Sequence, residues 1–195
     1  MKKLYCYVDE TGQDTRGKLF VVSVVLTGQE RDLAIESCEA IEHETGKGRV
    51  KWIKTRYDRR LAYIEDVLRE PIFRGKLYFD VFQDAKDYPS LTVRTIVRAI
   101  LAEVRESYKV TVLVDGLPRS KEREMGRLLR RMGIRTRKVR GVKKEEHDAL
   151  TRLADAICGF VRAAVEGQRE MEKLFKQAVE AGILIDLRQK KNPLG

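Results

Sequence analysis

Residues 1–12, "MKKLYCYVDETG", run from an alternating apolar segment into Asp9, Glu10, a threonine and a glycine. A carboxylate withdrawn from water is unfavourable unless it is paired or holds a cation. A strand that heads for a core and ends on two acids therefore either finishes in water or exists to carry them. Alternation over 3–8 predicts a first strand. "KLFVVSVVL" (18–26) is β-branched and apolar enough for a buried second one, with "TGQDTRGK" as the turn between them.

Working outward, the pattern alternates between helical and extended periods. A helix is predicted over 30–44 and another over 56–68, stopped near Pro71. A third strand follows at "KLYFDVFQD" (76–84). Pro89-Ser90 opens a helix carrying Val93, Ile96, Val97, Ile100, Leu101 and Val104 on one stripe. "KVTVLVD" (109–115) is a fourth strand, "PRSKEREMGRLLRRMG" (118–133) a basic helix closed by a glycine, and "IRTRKVRGV" (134–142) a fifth strand. Helices are predicted over 145–165 and 168–181. The layout is α/β: a mixed five-stranded sheet flanked by helices, with the two helices between the second and third strands reading as an insertion. Residues 1–167 form the expected main domain. Residues 168–195 are a C-terminal helix and basic tail, and that helix offers a surface for a homodimer.

Composition narrows the function classes. The chain has 195 residues, 43% hydrophobic and 36% charged, with no apolar run near the roughly 20 residues that span a bilayer. The first residues lack a signal-peptide core, so no membrane role and a cytoplasmic location are expected. Three cysteines, Cys6, Cys38 and Cys158, show no metal spacing and read as reduced thiols in or near the core. The net charge is +10, and all of it lies in 118–144, where twelve basic residues face two acids, Glu122 and Glu124. A one-sign block asks for a polyanion. Arg127, Arg130, Arg131, Arg135, Arg137, Lys138, Arg140, Lys143 and Lys144 are the candidate contacts to nucleic acid, RNA or DNA.

Two further acids stand out. Asp115 ends the fourth strand as Asp9 ends the first, and open α/β sheets place their sites at such strand ends. In "HDALTRLADAICGF" (147–160), Asp148 and Asp155 are seven apart and so share a helix face, with Gly159 leaving room beside Asp155. Hard cations such as Mg²⁺ take oxygen ligands of this kind. Each acid also has a plainer reading. Asp9 and Glu10 suit a turn, Asp115 before Gly116 suits a turn cap, and the apolar stripe of the last long helix is centred roughly 140° from Asp155, which puts that acid on the polar side.

"YVDETG" (7–12), "VLVDG" (112–116) and "LTRLADAICG" (150–159) together resemble the signature segments of the domain of unknown function 3800 family. That family is marked by an Asp-Glu-Ser-Gly-like strand end, a mid-chain strand ending in Asp and a Gln-Leu-Ala-Asp-like helix, and the resemblance spans roughly 4–166. It implies a ribonuclease H-like fold and a nuclease, or other phosphodiester-processing enzyme, working through two Mg²⁺ or Mn²⁺ ions. Asp9, Asp115 and Asp155 would be the metal ligands, with Glu10 and Asp148 as auxiliary catalytic acids. The chain departs from the pattern at Thr11, in place of serine, and at Thr151-Arg152, which sets a cation one turn from Asp155. The rival reading is a non-catalytic nucleic-acid-binding or partner-docking module on the same fold.

Among other polar residues, Lys51 and Lys54 flank the only tryptophan, Trp52, and either lysine or neither could meet a substrate. His147 beside Asp148 could move a proton or be incidental at a helix start. "TGKGR" (45–49) lacks the spacing of a phosphate-binding loop.

Overall fold

The computed structural model describes residues 1–104 and 107–189. Residues 190–195 of the basic tail, and the side chain of Lys144, lie outside that description. The strands are β1 (Lys2–Thr11), β2 (Leu19–Thr27), β3 (Leu77–Gln83), β4 (Tyr108–Asp115), β5 (Thr136–Val142) and β6 (Leu184–Asp186). The helices are α1 (Arg31–Glu44), α2 (Tyr57–Arg69), α3 (Tyr88–Glu103), α4 (Arg119–Arg131), α5 (Ala149–Val165) and α6 (Arg169–Glu180).

The sheet order is β5-β4-β1-β2-β3-β6. Strands β1, β2 and β3 form an antiparallel meander, while β4 lies parallel to β1, β5 parallel to β4 and β6 parallel to β3. The sheet therefore has six strands where five were expected. The sixth is three residues long, too short for any period to register, and it comes from the stretch read as an appendage. It is held by long-range polar contacts: Leu187 N donates to Phe79 O (3.0 Å), and Arg98 ties the buried Asp80 (2.9 Å) to the carbonyl of Leu187. Helices α1 and α2 lie between β2 and β3 in the chain, yet those two strands pair directly.

Alternation sends Tyr5, Tyr7, Val21, Val25 and Phe79 to one face, beneath α1, α2, α5 and α6. Leu4, Cys6, Val8, Val22 and Val24 face the other, beneath α3 and α4. Helix α5 is buried on almost every side, with thirteen of its seventeen residues inside. This goes against the plainer reading, in which the Asp155 side faces water. An apolar stripe identifies the most buried face of a helix, but here α6, α1, α2 and the Trp52 turn cover the others. All three cysteines are free and buried.

Candidate active site

The parallel pairing of β1 with β4 decides where the first two acids stand. The last registered pair is Val8–Val114, so Asp9 and Asp115 are the next residues on neighbouring strands. By alternation both side chains leave on the face of Tyr7 and Leu113, the face that α5 covers. Asp155, near the middle of α5, completes the group from above. The three acids come together at one end of the sheet, close enough that their charges act on one another. Burial, followed by the charges of Asp155 and Asp115, holds the Asp9 carboxyl well above the usual carboxylate range. Burial also raises Asp155, against the pull of the Trp52 backbone N–H and of Lys51.

Two acids have assigned hydrogen bonds. Asp155 Oδ2 accepts from the backbone N of Trp52 at 2.7 Å, which orients the carboxylate. Asp115 is gripped on both oxygens: Lys51 Nζ donates to Oδ2 at 2.7 Å, and His147 Nε2 stands 2.7 Å from Oδ1. An ionised carboxylate only accepts, so Nε2 carries the proton in that contact. Burial alone would lower the Lys51 ammonium, but Asp115 outweighs it and the pKa is raised.

Lys51 and Trp52 reach the site because "KWIK" closes into a single 3₁₀ turn (Trp52–Lys54) that docks on α5. Gly159 makes that docking feasible. A Cβ there would lie 2.2 Å from Trp52 Cδ1, so only glycine lets the indole sit on the helix. The space beside Asp155 anticipated from Gly159 is thus filled by Trp52. A cleft of about 450 Å³ opens between this turn and α5, lined by Asp9, Asp155, Lys51, Ile53, Arg60 and Arg162 among others.

The remaining acids stand apart. Glu10 touches the rim of the cleft, but its carboxylate is taken on the opposite face of the sheet by Thr92 of α3 and by Gln13 (2.8 Å). Asp148 is the N-cap of α5. It accepts from Thr151 N and Oγ1, both at 2.9 Å, and from Arg31 Nη2 (2.9 Å) and Tyr7 OH (3.1 Å). Both of its oxygens are thus taken, by the first turn of α5 on one side and by Arg31 and Tyr7 on the other. Arg152 points away from the acids. It forms a buried two-pronged pair with Glu42 of α1 (2.8 and 2.7 Å), which also accepts from Lys47 (3.2 Å), and it donates to His147 O (2.8 Å). His147 was visible in the sequence only as a neighbour of Asp148; its true partner, Asp115, lies 32 residues upstream. Of the nine candidate nucleic-acid contacts, all but Lys144 have described side chains, and those eight are exposed.

The oxygen-only chemistry of Asp9, Asp115 and Asp155 suits a hard divalent cation. Among the described residues, however, no three His, Cys, Asp or Glu side chains stand close enough to hold an ion as they are. The cation bonded to the acids is Lys51, and Arg60 and Arg162 line the same cleft.

No protein-family model matches the chain, and no curated protein does. Solved structures do. The ribonuclease H2 of Pyrococcus horikoshii aligns over 92% of this chain and 79% of its own, with a TM-score of 0.52 and 16% identity. The two share a fold. The RNase HII of a PCNA complex from Archaeoglobus fulgidus aligns over 89% and 76%, with a TM-score of 0.49 and 20% identity. Among the described residues no helix is long and apolar enough to cross a membrane.

Proposed function

We propose that the chain is a metal-dependent nuclease, or a related phosphodiester-processing enzyme, of the domain of unknown function 3800 family its three segments resemble. The observation that carries this reading is Asp9. It stands beside Asp115 on the neighbouring parallel strand and under Asp155 of α5, and its carboxyl is raised by burial first and then by the charges of those two acids, as expected where acids are gathered for a cation. The fold shared with a ribonuclease H2 supports the same direction. Asp9 and Asp155, with Asp115, are the residues that would hold Mg²⁺ or Mn²⁺. Bound there, such an ion supplies positive charge to a phosphodiester oxygen and lowers the pKa of water.

The chain's own residues have distinct tasks. The Trp52 backbone N–H fixes the angle of Asp155, and His147 holds Asp115 by one oxygen. Lys51 neutralises Asp115 in the resting site and is placed to pass its ammonium to a substrate phosphate. Glu10 and Asp148 keep structural partners and are assigned no catalytic task. Nucleic acid, RNA or DNA, is the substrate class.

Lys51 also gives the rival reading its specific footing. A lysine already bound to Asp115 would leave a site that binds nucleic acid without turning it over. One experiment separates the two. Mn²⁺ is titrated by calorimetry, and labelled RNA, DNA and hybrid are assayed with the native chain and with Asp155→Asn. The nuclease reading expects Mn²⁺ binding and cleavage, both lost in Asp155→Asn. No heat of binding together with no cleavage on any substrate leaves the non-catalytic module.

A further inference from the structure

Helix α4 and strand β5 carry the chain's charge excess, and two grooves run along them. One, of about 550 Å³, lies between α4 and β5 and is lined by Glu122, Arg123, Gly126, Arg127, Arg130 and Val139. The second, of about 410 Å³, shares Arg130 and continues past Lys109 and Arg135. Helix α4 begins four residues after Asp115, so this track starts at the acid-bearing end of the sheet and leads away from it.

The few acids nearby do not cancel the charge. Glu122 accepts from Gly141 N (2.9 Å) on the free edge of β5, and Glu124 takes Lys121 (2.8 Å). Among the described residues Arg123, Arg127 and Arg130 make no ion pair. They sit at positions i, i+4 and i+7, on one face of the helix.

A plainer explanation covers only part of this. Basic residues on an edge strand discourage edge-to-edge association, which accounts for Arg137, Lys138 and Arg140 on β5. It does not account for α4. Arg119, Lys121 and Arg123 crowd the first turns of that helix, the end at which its dipole disfavours cations. The arrangement works against local stability, as expected of a surface selected for a ligand.

The chemistry of the track also specifies the ligand. No Phe, Tyr or Trp occurs between Tyr108 and Phe160. Among the described residues of 116–146 no large hydrophobic side chain is exposed. Single-strand binders rely on aromatic side chains against which bases stack, and membrane-surface helices on apolar wedges. This surface has no aromatic side chain, and Met1, in the second groove, is its one exposed large apolar group among the described residues; what it offers along α4 is cations at regular spacing.

We propose that the α4–β5 track is a docking surface for the sugar–phosphate backbone of double-stranded nucleic acid, separate from the acid-lined cleft. It deepens the nuclease reading, and rests on it only for the idea that the docked duplex leads to the acids. Over the length of α4, about 20 Å, a duplex presents about a dozen phosphates, so three arginines on one face have ample partners.

The test is fluorescence anisotropy with a labelled duplex and its separated strand, in EDTA, as salt is raised from about 50 to about 200 mM. The native chain should prefer the duplex. The triple variant Arg123→Gln, Arg127→Gln, Arg130→Gln should flatten the slope of log K against log salt by about 2 to 3, from about 0.9 per phosphate contact. The corresponding triple lysine variant should keep the native slope. An unchanged slope in the glutamine variant, tighter binding of the single strand, or equal competition by polyglutamate or anionic lipid vesicles would overturn the proposal. Arg69→Gln, at an exposed arginine of α2 outside both the track and the cleft, should bind duplex as the native chain does. Absent cleavage by the native chain in Mn²⁺, with intact, salt-sensitive duplex binding, defeats the nuclease reading alone.

Discussion

Helix α5 carries two acidic neighbourhoods that resolve the same problem in opposite ways. On one side, Glu42 is buried against Arg152 and Lys47, both also buried, and every charge has a partner. A few residues along, Asp9, Asp155 and Asp115 meet with Lys51 as their nearest cation, itself over a third exposed. The first cluster is complete as it stands and binds α1 to α5. The second keeps a deficit of positive charge at the end of a cleft. Burial is common to both, so what distinguishes them is whether each carboxylate has a cation of its own: Glu42 has two, whereas three acids share Lys51.

That contrast can be broken by mutation. The largest effect is expected at the complete cluster. Arg152→Ala leaves the buried Glu42 with Lys47 as its one remaining cation and should lower stability by about 3–5 kcal/mol, as removing one member of a buried charge cluster does. Thermal denaturation should show a Tm lower by about 6–20 °C, at about 2–4 °C per kcal/mol for a chain of this size. A change of under a degree would mean the pair is solvated.

Gly159→Ala comes next, because its Cβ would overlap the Trp52 ring. Overpacking of this kind typically brings a loss of about 1–3 kcal/mol. The variant should also shift the emission of the only tryptophan and weaken Mn²⁺ binding, since the displaced turn carries both Lys51 and the N–H that orients Asp155.

The smallest and most telling effect has the opposite sign. Asp9→Asn removes charge from the uncompensated cluster, so in EDTA it should raise stability at neutral pH, by about 1 kcal/mol and hence about 2–4 °C in Tm. The folded-state pKa of Asp9 lies above its unfolded value. The native state therefore holds the proton longer, and stability falls as pH rises from the ordinary carboxylate range through the raised value. Urea unfolding across that interval should slope downward in the native chain and less so in Asp9→Asn. A destabilised Asp9→Asn would mean that the carboxylate is already satisfied.

The sheet was legible where local pattern and tertiary environment agree. Strands β1 to β5 are long and bounded by turns, whereas Glu10, read as an auxiliary catalytic acid, is held on the other face of the sheet by Thr92 and Gln13. The first and fourth strands could be suspected of converging their acids, but only the parallel pairing of β1 with β4 brings Asp9 beside Asp115. What stayed hidden depends on partners distant in the chain. Arg152 reads as a cation one turn from Asp155, and nothing local reveals Glu42, 110 residues upstream. Asp148 reads as a site acid, but capping of α5 and Arg31 claim it. The plainer reading of Asp155 as solvated fails because a helical wheel knows one neighbour, whereas α5 has several.

The pairing of β1 with β4 has a consequence for how the molecule forms. Residues 2–8 find their parallel partner only after residue 108, and contacts of such long sequence separation are slow to close. The β1–β2–β3 meander can assemble early from neighbouring segments, whereas the acidic pocket must wait for β4 and then for α5. Crowding of like charge is thereby deferred until the long-range contacts of β4 and α5 form, after the local pairing of the meander.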